Sequence, residues 1–104
     1  MVLYQVKYTI DKDKIDAYTK FAKEVAVPAW LSTPGLKEFR AYRETGTLNA
    51  LVEMEFDSYM SWGKALDDPK IKDMMTKTMM HAHDLCWNLW DKSPVLPESL
   101  KPKK

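Results

Sequence analysis

A single cysteine, Cys86, stands in 104 residues. It cannot form an internal disulfide, and a reducing cytoplasm is the compartment that fits. Charge of one sign is missing too: 16 Lys and Arg face 15 Asp and Glu, a formal net charge of +1. No strong field invites nucleic acid or an anionic membrane. The longest apolar runs fall far short of the roughly 20 residues a membrane helix needs. The start, "MVLYQVKYTI", has no basic region, hydrophobic run or small-residue cleavage site, so it does not read as a signal peptide. No repeat of helical-array period is present, and no hydrolase signature surrounds Ser58, Ser61 or Cys86.

What is present suits one domain with a real core, since 45% of residues are hydrophobic and 12% aromatic. That domain is expected over residues 1–93. Residues 94–104, rich in proline and lysine, are expected to form an extended or disordered arm. "VLYQVKYTI" alternates, with Val2, Tyr4, Val6, Tyr8 and Ile10 on one face and Leu3, Gln5, Lys7 and Thr9 on the other. A helix follows, with Asp13 as its cap and a stripe of Ile15, Tyr18, Ala22, Val25 and Ala29 widened by Phe21. Pro28 is expected to kink its last turn.

"STPG" turns the chain into a second strand, "LKEFRAYRE", and "TGTLN" makes a hairpin to a third. In that strand Leu48, Ala50, Val52, Met54 and Phe56 alternate with Asn49, Leu51, Glu53 and Glu55. Ser58 can cap a second helix, and "DDP" breaks it. Asp68 and Pro69 are a good cap and first residue for a restart. The restart is expected to run to about Asp84, with "LCWNLWD" as the fourth strand. The order βαββαβ gives a ferredoxin-like α+β fold: a four-stranded antiparallel sheet with helices on one face.

On a helix reaching Asp84, His81 and His83 would point about 200° apart and could not chelate one ion. No metal is expected at "HAHDLC"; the histidines would decorate the last turn and Cys86 would be a small buried residue. The sheet's second face would carry Leu3, Gln5, Lys7, Thr9, Glu38, Arg40, Tyr42, Leu51, Glu53 and Glu55, with either Cys86, Asn88 and Trp90 or Leu85, Trp87 and Leu89 from the fourth strand; the first set is preferred, since Leu-Trp-Leu suits the helix side. Lys7 could pair with Glu53 or Glu55. Leu3, Leu51 and Trp90 call for cover by a second sheet. An RNA-recognition module shares this element order, but Glu53 and Glu55 on a central strand would repel phosphate. A metallochaperone of this topology would need paired cysteines.

Three stretches, "TPGLKEFRAYR", "LVEMEFDSYMSWGKAL" and "LDDPKIKDMM", together with the element order, resemble the dimeric α+β barrel superfamily, which includes antibiotic-biosynthesis-type monooxygenases. The resemblance spans about residues 2 to 91 and implies a homodimer packed sheet against sheet. It also implies a ligand pocket bounded by the sheet and the broken helix. Haem-degrading members use an asparagine on strand one and a Trp and a His on the second helix. Here strand one has Gln5 and Lys7, "PKIKDMM" has no histidine and His81 comes too late, so haem degradation is not expected.

The expected function is small-molecule binding by a homodimer, with monooxygenase-like or isomerase-like chemistry on an aromatic or enolisable substrate and no bound cofactor. Lys7 or Arg40 would stabilise an enolate or phenolate, and Glu53, Glu55 or His81 would move a proton. Trp90, Tyr42 and Trp62 would offer flat surface, and Gln5 or Asn88 would orient the ligand, a small aromatic molecule. A non-catalytic ligand-binding or structural dimer is the other reading. Neither nucleic acid nor a membrane is an expected partner.

Overall fold

The computed structural model describes residues 1–97 and 99–103. Its elements are β1 (Val2–Ile10), a 3-10 turn (Lys12–Lys14), α1 (Ile15–Phe21), a π-helical turn (Ala22–Ala26), α2 (Val27–Leu31), β2 (Leu36–Arg43), β3 (Asn49–Phe56), α3 (Tyr59–Asp67), α4 (Pro69–Thr78) and β4 (Ala82–Asp91). The strands form one antiparallel sheet in the order β2-β3-β1-β4, the ferredoxin-like arrangement. The helices cover one face. Tyr4, Ile10, Met54, Phe56 and Ile71 are fully buried beneath them.

Local chemistry sets the helix ends. The Ser58 hydroxyl accepts from the Ser61 N–H and opens α3. The Asp68 carboxylate accepts from the Lys70 N–H and opens α4, with Pro69 next to it where no N–H is needed. Ser58 also donates to Asp57 at 3.1 Å, as Ser61 does at 2.5 Å. These bonds, Ser61 first, hold the Asp57 pKa below its usual value. Replacing Ser58 by alanine removes the cap and should cost about 1 kcal/mol in chemical denaturation. Because Asp57 is held low, its stabilising contribution is complete above the ordinary carboxylate range and fades as pH falls through its folded pKa.

Three expectations need correction. Asp13 caps nothing: it lies inside the 3-10 turn, and Asp11 precedes that turn without a side-chain cap. The first helix is not a regular stripe. Pro28 has no N–H for the Glu24 carbonyl, and its ring would crowd that group; the π turn just before it widens the helix by one residue. The Val27 N–H reaches back to the Ala22 carbonyl. Beyond the turn the inward positions shift, so Val25 is exposed while Ala26, Ala29 and the buried Trp30 pack on the core.

The broken helix also ends earlier than Asp84. Thr78 donates its hydroxyl to the Met74 carbonyl and β4 begins at Ala82. A longer helix would leave the end of β1 unpaired; instead Ile10 pairs with Ala82 and Thr9 with His83. A bulge follows, with Asp84 and Leu85 opposite Tyr8 and Asp84 at φ 57°, a conformation aspartate tolerates. The bulge turns Ala82 into the core.

Candidate functional site

The registers of the three strand pairs define the sheet's second face as four rows. Glu38, Glu55, Leu3 and Trp90 form the first row, and Arg40, Glu53, Gln5 and Asn88 the second. Tyr42, Leu51, Lys7 and Cys86 form the third, and Asn49, Thr9 and His83 the fourth. Arg40 is engaged on three sides: Nη1 with Glu38 at 2.5 Å, Nε with Glu53 at 3.4 Å and Nη2 with Glu55 at 3.3 Å. Partial desolvation works against the guanidinium charge. The hydrogen bond to Glu53 and the fields of Glu55 and Glu38 outweigh it and hold its pKa above the usual value. Gln5 donates to Glu53 at 2.6 Å and accepts from the Trp90 indole at 2.8 Å.

The structure therefore brings Gln5, Arg40, Glu53, Asn88 and Trp90 together, with Tyr42 and Lys7 one row away. Arg40 is saturated by carboxylates and is not a free anion receptor. Lys7 pairs with neither Glu53 nor Glu55; among the described residues it makes no ion pair.

Trp62 and His81 lie on the other side of the sheet. His81 sits in the bend before β4, its ring stacked on Phe21 at 5.3 Å and its Nδ1 3.1 Å from the Lys77 carbonyl. His83 leaves from the second face and meets Asp11 at 2.6 Å. The two histidines are separated by the bend that precedes β4 rather than by a helical angle. Cys86 is exposed. The broken helix packs on the face opposite Arg40 and Trp90, so within one chain it cannot bound a pocket together with the second face.

The helix side carries an aromatic cluster. Tyr4 is the centre, with Trp30 at 6.4 Å, Trp62 at 5.8 Å and Trp87 at 5.9 Å between ring centroids. Trp62 and Trp87 are themselves 5.9 Å apart. Such tilted and edge-on contacts suit the ring quadrupoles. Trp87 is 51% exposed because β4 is the sheet's edge and the helices do not reach over it. The Trp62 Nε1 is buried and has no hydrogen-bond partner among the described residues. Beside this cluster, between the sheet and α2 and α4, lies a half-open apolar pocket of about 50 Å³. Met54, Met74, Met75 and Met79 line it, with Tyr8 and Thr78 the only hydroxyls. The Tyr8 hydroxyl is bonded to that of Tyr18, and burial, then this bond, raises its pKa.

Sequence reasoning proposed Trp62 but not its neighbours. Alternation already put Tyr4 and Trp87 on the helix side; only the packing of α3 on β1 brings Trp62 between them. Trp30 was hidden by the π turn. No helix among the described residues is long and apolar enough to cross a membrane.

No family model matches the chain, and no curated protein matches it in sequence. Solved structures do match. An antibiotic biosynthesis monooxygenase superposes with a TM-score of 0.79 at 14% identity, over 90% of this chain and 100% of that one. A conserved protein from Methanosarcina mazei Go1 gives 0.79 at 13%, over 88% and 92%. SnoaB, a cofactor-independent oxygenase from Streptomyces nogalater, gives 0.74 at 17%, over 93% and 97%. The chain thus has the ferredoxin-like α+β fold seen in these structures. At these identities the likeness is one of fold.

Proposed function

We propose that this chain is a homodimeric, small-molecule-binding barrel protein. In this reading it holds an aromatic or enolisable molecule against Trp62 and Trp87 and oxygenates it without a bound cofactor. One observation carries the reading: the Trp62 indole N–H is buried without an acceptor, beside a half-exposed aromatic face. A buried unsatisfied donor costs roughly 1–3 kcal/mol. In this reading a ligand oxygen relieves it once the side chains over the N–H part, and the half-exposed Trp87 offers its face to a flat ring. A phenolate or enolate oxygen suits the donor best, because a charged acceptor makes the stronger bond. Molecules of that kind are electron-rich and reduce dioxygen themselves, so the protein's task is to hold, ionise and shield them. The fold likeness to SnoaB, described as a cofactor-independent oxygenase, supports the chemistry.

The proposed dimer covers the second face, in a reducing cytoplasm, with residues 1–93 as the barrel domain and 94–104 as an arm across the partner. Val95, Leu96 and Leu100 of that arm are exposed in the single chain. Gln5, Arg40, Glu53, Asn88 and Trp90 then act in the sheet-to-sheet interior rather than on the ligand, as do Lys7 and Tyr42. A non-catalytic ligand-binding dimer is the second reading. It is favoured by one fact: His81 and the carboxylates around Arg40 all lie away from Trp62.

The test is a titration with naphthols and hydroxylated aromatic acids, followed by oxygen uptake. Trp62→Phe keeps an aromatic ring and deletes the donor; the dissociation constant should rise about tenfold, the equivalent of about 1.4 kcal/mol. Binding with no oxygen uptake selects the second reading. Equal affinity in Trp62→Phe defeats the assignment of the site.

A further inference from the structure

The apolar pocket between sheet and helices lies next to the Trp62–Trp87 aromatic pair. Val6 lines the cavity and is the cross-strand partner of Trp87; Leu85 lines it and stands two residues before Trp87. Its volume, about 50 Å³, is several times the roughly 10–15 Å³ that one water occupies by this measure. Water is nevertheless a poor occupant, since a buried water needs 2–4 polar partners. The lining has two hydroxyls, and both are committed: Tyr8 to Tyr18, and Thr78 to the Met74 carbonyl. No charged side chain reaches the space. The rest of the wall is aliphatic, aromatic or thioether. Such a cavity favours a guest that asks for no hydrogen bond and fits the size of a few water molecules. The four methionines make the wall polarizable and able to adjust around such a guest.

We propose that this cavity is a binding site for a small nonpolar molecule of the dioxygen class. Its role as a store of oxidant next to the aromatic pair rests on the function proposed above; the binding itself does not. Val6 links the two, lining the pocket and pairing across the strands with Trp87.

The experiment uses the intact chain with methionine methyl groups carbon-13 labelled. Spectra are taken under xenon, a nonpolar probe of similar size, and then under oxygen. Xenon should shift the resonances of Met54, Met74, Met75 and Met79, with saturation, and leave those of Met1, Met60 and Met80 in place. Oxygen should broaden the same four beyond the general effect seen on the exposed methyls. Thr78→Leu and, separately, Val52→Ile add methyl groups at the wall and should each reduce the xenon-induced shifts at least twofold. Either variant suffices if the other fails to fold. Uniform small shifts at all seven methionines, or no shift at the four, would overturn the proposal. Because xenon binding does not depend on Trp62, a positive result here with no aromatic binding would defeat the oxygenase reading alone.

Discussion

Light scattering on the intact chain at micromolar concentration should return twice its 12.1 kDa mass, and Leu51→Glu should return a single chain's mass. The reason lies in the second face. Leu3, Leu51, Tyr42 and Trp90 stand there among charges; Tyr42 and Trp90 are half exposed, and among the described residues no helix or strand lies over this face. The charges are divided. Three carboxylates and one guanidinium occupy the first two rows, whereas Lys7 and His83 occupy the last two. Turning one copy through 180° in the plane of the interface brings the unpaired Lys7 of one face toward the acidic rows of the other, while His83 is already engaged by Asp11. An interface on the order of 2,000 Å² is needed for a stable homodimer, and the whole face is available. The Leu51→Glu substitution would bury a carboxylate from each copy, partly offset by Lys7, its cross-strand partner. A loss of association on the order of 2 kcal/mol, roughly thirtyfold in the dissociation constant, follows. Trp90→Glu, on another row, serves as an independent variant. Circular dichroism should show the fold unchanged in both.

Gly35→Ala is the second large effect and acts on the fold itself. Gly35 lies at φ 83°, where a side chain costs roughly 1–2 kcal/mol. A Cβ there would collide with the Ser61 Oγ and come within 3.0 Å of the Asp57 Oδ1. These groups hold the start of α3, so neither can move without loosening it. Strain and crowding together should cost on the order of 3 kcal/mol, lowering the melting temperature by more than about 10 °C. Gly46 has φ 79° but open space around it, so Gly46→Ala should cost only the strain. Equal losses at the two glycines in thermal melts would show that the contact with Ser61 is unimportant.

Much of this fold is written in local patterns. Strands betray themselves by alternation, as in "VLYQVKYTI" and "LNALVEMEF", and the caps at Ser58 and Asp68 by residue type. What was hidden is tertiary or depends on one inserted residue. The π turn before Pro28 exchanges Val25 for Ala26 and Trp30. The bulge at Asp84 lets a strand begin where helical periodicity still reads well. Arg40 was legible as a cation on the second face. Glu38 beside it was legible from alternation along the strand; that Glu53 and Glu55 both reach it is fixed by the register of β2 on β3. Trp62 was legible as an aromatic residue near a helix start, but its unpaired N–H depends on how α3 settles against β1. The cavity is invisible in sequence, because methionines at 54, 74, 75 and 79 look like ordinary core.

The central claim is that the Trp62 N–H is the hydrogen-bond donor to a bound aromatic ligand. The direct measurement is a nitrogen-15 spectrum of the four indole groups during titration with a naphthol. The expected result is a downfield shift of one indole proton, the one absent from Trp62→Phe, with saturation at the same concentration as tryptophan quenching. A ligand that binds while the Trp62 resonance stays in place, or that moves only the Trp90 resonance, would contradict the account.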